Sequence, residues 1–334
     1  MQNLTLLLLL SGILGIGLGW LLYKQTRSRR IISCGLWFLS ILFLCSGSYS
    51  YWYHHRTIPA PIVRKQLFEG ITYSRAIFMS PRPNVVHIVT INVTTPGIRF
   101  LVTPSTLAEG KLPAKTTSQF LQESGVQVAI NGSFFSPFRD TFFRYYPHAG
   151  DSVSVYGLTI SQGQQYSTPE PGYHPLLISR TNQLAIASPL EHAYNALSGY
   201  DIFVKEGKVQ EVVDQRYHPN KPSPRTAIAI DQPGQRMILL IVDGRQPNYS
   251  EGMTLAELGE IAIGYGAYTA LNLDGGGSST LVIEDAPGKA LVLNSPIHRR
   301  IPPGRQRPVA NHLGIFAKKI LLSTGNLHPP SSLR

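Results

Sequence analysis

Residues 271–282 read LNLDGGGSSTLV. An apolar run ends in one carboxylate, Asp274, which is followed by Gly275, Gly276 and Gly277 and then by Ser278, Ser279 and Thr280. The glycines have no Cβ, so the backbone there can take positive φ and approach a ligand closely. Turns of this kind can aim several N–H groups at one anion, and the hydroxyls add donors and acceptors. A carboxylate beside an anion-compatible loop is equipped for chemistry on a polar, phosphorylated or glycosylated substrate. The same residues also make a tight turn that holds no ligand, and the segment alone does not separate the two.

The elements around this loop are legible. Thr254 and Glu257 are spaced as a capping box, in which each side chain satisfies a free N–H at a helix start. Leu255, Leu258 and Ile261 share one face, Gly264 or Gly266 can end the helix, and an apolar segment then runs to Asp274. An earlier stretch has the same plan. Ser118–Glu123 reads as a short helix closed by Gly125, and Val126–Ile130 as a strand that ends in Asn131-Gly132-Ser133-Phe134-Phe135. Two helix–strand units thus each deliver a polar residue and a glycine at a strand's end, a thin hint of an internal repeat. Elsewhere strand patterns dominate. Hairpins are expected for Val85–Val93 with Ile98–Val102, for Tyr200–Val204 with Lys208–Val213, and for Thr226–Ile230 with Met237–Val242. Residues 54–84, punctuated by Pro59, Pro61, Pro81 and Pro83, read as a connector.

The N-terminus bears on location. Residues 4–23 carry no charge and are long enough to cross a bilayer as a helix, and so are residues 31–53. Between them, the loop 24–30 holds Lys24, Arg27, Arg29 and Arg30, which the positive-inside rule keeps in the cytoplasm. Residues 1–53 are therefore expected to form a transmembrane hairpin with the larger part outside the cytoplasm. A cleaved signal peptide fits less well, because Met1–Asn3 carries no side-chain charge before the apolar run. The small residues from Gly12 to Gly19 allow close packing of one helix on the other.

Of the net charge of +11, four belong to the hairpin loop, and the remainder is thinly spread except at Arg299, Arg300, Arg305 and Arg307. No nucleic-acid recognition motif accompanies it. Both cysteines, Cys34 and Cys45, lie in the second apolar stretch, so the outer part has no thiol nucleophile or cysteine zinc site. The histidines show no metal-ligand spacing and no calcium-loop pattern is present, so the sequence requires no cofactor and lends a divalent metal no support.

Five segments occur together and in order: NGSFF at 131–135, PRTAIA at 224–229, VDGR at 242–245 with SEGMTLAEL at 250–258, NLDGGGSST at 272–280, and RPVAN at 307–311. In this the chain resembles the phosphodiester glycosidase family over roughly residues 85–317. The resemblance implies an α+β, β-rich mixed-sheet catalytic domain with a few helices, assigned here to 85–319. It also implies a hydrolase that removes a sugar, typically N-acetylglucosamine, from a phosphodiester.

The bond at issue joins an anomeric carbon to a phosphate oxygen. Most glycosidases use two carboxyl groups. A phosphate leaving group is a weaker base than an alkoxide, so charge neutralisation outweighs proton donation here. Asp274 is then the first choice for the indispensable carboxylate, as nucleophile, as base for water, or as partner to oxocarbenium charge. Asp243 is a second carboxylate, an orienter of Arg245, or a turn residue. Arg225 can hold phosphate with two parallel hydrogen bonds, and Arg307 is the alternative. Asn131, with Gly132, can meet a sugar hydroxyl or N-acetyl group. Phe134 and Phe135 can stack on a sugar or fill the core. Asn311 and His312 complete the candidates, His312 being more often a structural histidine than a proton donor. The aromatic, Gly/Pro-rich segment 138–175 is a substrate wall or a surface excursion, and the tail 320–334 is expected to be flexible.

The expected partners are a phosphorylated glycan or sugar-1-phosphodiester and a membrane, with no nucleic acid and no statement on oligomerisation. Two other classes stay open: a non-catalytic binder of phosphorylated glycans, and a membrane scaffold in exopolysaccharide biosynthesis or export.

Overall fold

The structure is a computed structural model that describes residues 2–23, 27–107, 110–141, 144–212, 214, 216–298 and 303–320. The expected tail beyond residue 320 and the cations Arg299 and Arg300 lie outside the described residues. The chain divides into two units, Met1–Pro59 with Gln246–Ser250, and Ala60–Arg245 with Glu251–Arg334.

In the first unit, α1 spans Gln2–Tyr23 and α2 spans Arg27–His54. Both are long and apolar enough to cross a membrane by length and composition. The helix begins at Arg27, so the expected loop 24–30 is partly helical. The small residues of α1 face α2: a Cβ on Gly12 would meet Leu44, one on Gly15 would meet Ser40, and one on Gly19 would meet Trp37. Hydroxyls tie the pair, Thr5 to Ser50 at 2.8 Å and Ser33 to the Gly19 carbonyl. Close backbone approach with a few polar contacts is the way apolar helices associate where the hydrophobic effect does not drive them together.

The second unit is built on two sheets packed face to face. The larger orders its strands as Ile62–Phe68, Ile71–Phe78, Asn84–Asn92, Arg236–Val242, Arg225–Ile230, Thr269–Asn272, Ile202–Lys205 and Lys208–Val209. The smaller orders them as Lys289–Val292, Leu281–Ala286, Val128–Asn131, His312–Phe316 and Arg99–Val102. Strand side chains alternate between faces, and the core follows that period. Ile228 and Ile230 point to the shared core with Val128, Ile130, Leu281 and Leu313, while Ala227 and Ala229 pack on the other face with Leu255, Leu258 and Ala262 of α4 (Leu255–Gly264). On the far side of the smaller sheet, Phe120 and Leu121 of α3 (Thr117–Ser124) cover Ala129 and Val282. The layers are thus helix, sheet, sheet, helix. A further five-stranded sheet that includes Ala193–Gly199 and His174–Ser179 adds Leu176, Ile178 and Leu197 to the same core.

The α+β, β-rich class holds, although every named strand pair among the described residues is antiparallel where mixed sheets were expected. The capping box read at Thr254 and Glu257 opens α4, and the structure adds one at Thr116 and Gln119 that opens α3, which Gly125 closes at φ 68°.

Two expectations are corrected. The stretch 54–84 is not simply a connector, because Ile62–Phe68 and Ile71–Phe78 form the edge of the larger sheet. Its prolines lie outside both strands, so they frame the pairing and do not interrupt it. The strands Asn84–Asn92 and Arg99–Val102 are not a hairpin but part into different sheets, the first between Ile71–Phe78 and Arg236–Val242, the second beside His312–Phe316. The hairpins Arg225–Ile230 with Arg236–Val242 and Ile202–Lys205 with Lys208–Val209 do form.

Candidate active site

Several strand ends converge on one cleft. Arg225 opens its strand opposite Val242, and Ala227 pairs with Asn272, so the segments 243–245 and 273–277 leave the larger sheet at the same end. From the smaller sheet, Asn131 reaches the same place. The cleft is about 260 Å³, and its lining includes Phe134, Phe138, Asp140, Tyr217, Asn272 and the Asp274–Gly277 turn. The two helix–strand units read from the sequence therefore meet here.

Asp274 is partly buried at the cleft floor. Burial drives its carboxyl up to about 6, against the opposing pull of the Arg307 charge, the Ser278 hydroxyl, the Gly275 amide and the Arg245 charge. Its main chain is fixed on both sides: its N–H donates to the Gly132 carbonyl at 3.2 Å, and its carbonyl accepts from Asn131 Nδ2 at 2.6 Å. A carboxylate held this rigidly needs no reorganisation to meet developing positive charge.

The glycine turn does less anion binding than its composition implies. The amides of Gly276, Ser278 and Ser279 donate to the carbonyls of Pro224, Gly275 and Gly276. A Cβ on Gly275 would crowd the Pro224 carbonyl, and Gly276 takes φ 62°, so these glycines serve a tight fold-back. Gly277 serves a neighbour: a Cβ there would overlap the Arg307 guanidinium.

Arg307 is one of two buried cations in the cleft, with Arg225. It lies over the Phe138 ring at 4.4 Å, donates to Ser278 Oγ at 3.3 Å and stands 4.0 Å from Asp140. Its Nε is buried without a hydrogen-bond partner. Arg225 also lines the cleft, but its Nε donates to the Met253 carbonyl and its Nη2 to those of His218, Pro219 and Lys221, at 2.8–3.2 Å. Nε and Nη2 are thereby spent, which leaves only Nη1 for a ligand and rules out the expected two-nitrogen grip on phosphate. Burial also brings this guanidinium down to about 10.

Other sequence candidates sit behind the cleft. Asp243 is buried, with Oδ2 3.2 Å from His87 Nε2 and Oδ1 accepting from Asn294 Nδ2 and the Ser295 amide. His87 continues to Tyr73 at 2.8 Å. It belongs to an internal polar chain and does not line the cleft, so it is not a second carboxylate there. Asn131 does not reach toward a sugar: Oδ1 accepts from Thr226 Oγ1 and the Thr280 amide while Nδ2 holds Asp274. Gly132 is packed so closely on Asn311 that a Cβ would overlap it, and the Asn311 side chain is bonded to Ser133. Ser278 and Ser279 are buried beneath the turn. His312 is fully buried against Phe120, bonded to Thr103, and pushed down to about 3 by burial. It is a neutral core histidine, not a proton donor to the cleft. Phe134 faces the cleft and Phe135 fills a core.

The sequence reading missed Asp140, Arg216, Tyr217 and Lys221, which all line the cleft. Asp140 and Phe138 come from the segment read as wall or excursion. Tyr217 stacks on Phe134 with centroids 4.0 Å apart and bonds Tyr173 at 2.5 Å. Arg216, Tyr217 and Lys221 lie in irregular chain and Asp140 in a two-residue strand, too short for a periodicity to mark them. Asn272, fully buried on the floor, gives Nδ2 to Asp201 at 3.2 Å while its Oδ1 has no partner. Asp201 is itself raised to about 6 by burial. Among the described residues no group of three or more His, Cys, Asp or Glu side chains is placed to hold a metal.

A family model for phosphodiester glycosidases matches residues 124–316. No curated protein matches the chain. Among solved structures, the catalytic domain of zebrafish N-acetylglucosamine-1-phosphodiester alpha-N-acetylglucosaminidase, auto-inhibited by its pro-peptide, is 20% identical with a TM-score of 0.56, covering 79% of this chain and 86% of that one. A hypothetical protein from Synechocystis is 16% identical with a TM-score of 0.49, covering 75% of this chain and 62% of that one. The zebrafish likeness is one of fold, while the family match spans both strand ends that build the cleft, from Asn131 to Asp274, and extends through Arg307. The chain belongs to the phosphodiester glycosidase family.

Proposed function

We propose that this chain is a membrane-anchored hydrolase that cleaves the bond between a sugar's anomeric carbon and a phosphate in an envelope or extracellular glycan. The observation that carries the reading is Asp274, a carboxylate with raised proton affinity on the floor of a cleft walled by Arg216, Lys221, Arg225, Arg245 and Arg307. Family membership supports the reaction class.

In this reading Arg307 and Arg245, the two cations whose charge acts on Asp274, also neutralise the phosphate. The ionised Asp274 faces the anomeric carbon and stabilises its oxocarbenium charge. The unpartnered Asn272 Oδ1 accepts from a sugar hydroxyl or amide N–H, and Phe134 with Tyr217 gives the ring an apolar wall. The leaving phosphate needs little protonation, so no strong acid is required opposite Asp274. The two apolar helices act as the anchor, with the cationic turn on the cytoplasmic side.

The test is release of N-acetylglucosamine from its methyl phosphodiester and its uridine diphosphate conjugate by the full chain in detergent micelles, with and without chelator. Turnover that disappears in Asp274→Asn and falls at least about a hundredfold in Arg307→Ala is the expected result. Turnover that persists in Asp274→Asn would refute the assignment.

A further inference from the structure

The cations of the cleft fall into two groups. Arg307 and Arg245 act electrostatically on Asp274, whereas Arg216 and Lys221 are not among its charge partners. The second pair belongs to the segment 216–221, on the wall that precedes the strand Arg225–Ile230. This wall is built. Arg225 clamps it with hydrogen bonds to the carbonyls of His218, Pro219 and Lys221, the Lys221 amide closes a turn on His218, and His218 takes φ 51°. Arg216 is braced over the Tyr200 ring at 5.2 Å, and its amide bonds Asp214, which does not line the cleft. Lys221 has no acidic partner within salt-bridge distance among the described residues and is exposed to the cleft.

One phosphodiester carries a single negative charge. Five cations line the cleft against Asp140 and Asp274; from outside the lining Asp201 and Asp214 offset part of the charge of Arg225 and Arg216, and Lys221 keeps its charge on the wall. Both groups border a single space of about 260 Å³, which suits two adjacent phosphates better than phosphates separated by a further sugar.

We propose that the cleft has a second phosphate station, formed by Arg216 and Lys221 and held in shape by Arg225, and that the chain acts on sugars linked through a diphosphate. The inference rests on the glycosyl-phosphate reading above. In the reaction, the bond between the anomeric carbon and oxygen breaks with its electron pair left on the diphosphate. Water supplies hydroxyl to the carbon, and its remaining proton goes to solvent. Arg307 and Arg245 hold the phosphate next to the sugar. Arg216 and Lys221 hold the outer one, which makes the leaving group both tighter bound and more acidic.

Calorimetry on the full chain in detergent micelles, in buffer without divalent cations, compares inorganic phosphate with inorganic pyrophosphate. Pyrophosphate is expected to bind at least about tenfold tighter. In the Arg216→Ala/Lys221→Ala double variant that advantage disappears, while in Lys289→Ala, a change at an exposed residue of the smaller sheet, it remains. Equal binding by the native chain, or an advantage that survives in the double variant, overturns the proposal. A thermal melt of each variant checks folding.

Turnover separates this inference from the reading beneath it. If the glycosidase reading fails, neither the methyl phosphodiester nor the uridine diphosphate conjugate releases sugar, and the pyrophosphate comparison still decides the station. If only the second station is wrong, both conjugates are cleaved and the ratio of their kcat/KM values is the same in native chain and double variant.

Discussion

The side-chain amide of Asn131 donates to the main-chain carbonyl of Asp274 across 2.6 Å, joining the end of a strand in one sheet to the segment that leaves the other. The same side chain accepts from Thr226 and from the Thr280 amide at 2.9 and 3.1 Å. One buried residue thus holds both sides of the Asp274 turn. Asn131→Ala removes three hydrogen bonds and strands their partners, at a cost of about 3 kcal/mol. Urea denaturation is expected to show that loss, together with lower turnover per folded molecule. A variant of native stability would refute the bridge.

Asp274 is the subject of a paired prediction on activity and stability. Its folded-state proton affinity is raised from the ordinary carboxylate value of 3.8 to about 6. Well below the unfolded value of 3.8 the acid is neutral in both states and costs nothing. As pH rises through 6 the folded state must ionise a partly buried group, and stability is lost. Asp274→Asn removes that loss. It is expected to be about 1–2 kcal/mol more stable than the native chain at neutral pH, a figure discounted for cleft water, and equal to it below about pH 3. Its turnover vanishes. Native turnover falls on the acid side with an apparent value near 6, read from a kcat/KM profile.

Gly277 tests Arg307 without touching it. The glycine has no positive φ, and a Cβ there meets the flexible guanidinium, not backbone. Gly277→Ala should therefore keep the fold and push Arg307 off its place over Phe138. Melting temperature is expected to change by only a few degrees, while kcat/KM falls on the order of a hundredfold. Near-native kinetics in a folded Gly277→Ala chain would remove Arg307 from the phosphate site.

Asp243 distinguishes architecture from chemistry. Its carboxylate joins His87 to Asn294, which in turn donates to the Ser279 carbonyl behind the glycine turn. Asp243→Ala leaves those buried groups short of partners and should cost about 3–5 kcal/mol. Asp243→Asn, which keeps an acceptor, should cost less and retain turnover within about tenfold once corrected for folded fraction. A thousandfold loss in a stable Asp243→Asn chain would restore it as a reacting group.

The legible parts of this fold are those whose signals are local. A capping box needs two residues three apart, so Thr254 with Glu257 marks its helix directly. The hairpin of Arg225–Ile230 with Arg236–Val242 is bridged by a few turn residues, and its pairing follows. The turn at 94–97 looks as favourable, yet its flanking strands go to different sheets, because Asn84–Asn92 finds longer partners on both sides. Strand pairing is a contest among distant segments, which a local pattern does not record.

The candidate site divides the same way. Asp274, its glycines and the five ordered segments were readable from residue order, and with them the family and its α+β class, because turn chemistry and motif spacing are written along the chain. Which polar residues face the cleft was not. Asn131, Asp243 and Arg225 share the strand-end position and polar type of Asp274, and the structure spends their side chains on carbonyls, amides and each other's supports. Arg216, Tyr217 and Lys221 come to the cleft from irregular chain, and Asp140 from a two-residue strand. Residue type sets what a side chain can bond, but burial and the nearest unpaired partner decide what it does bond, and those exist only once the two sheets have packed.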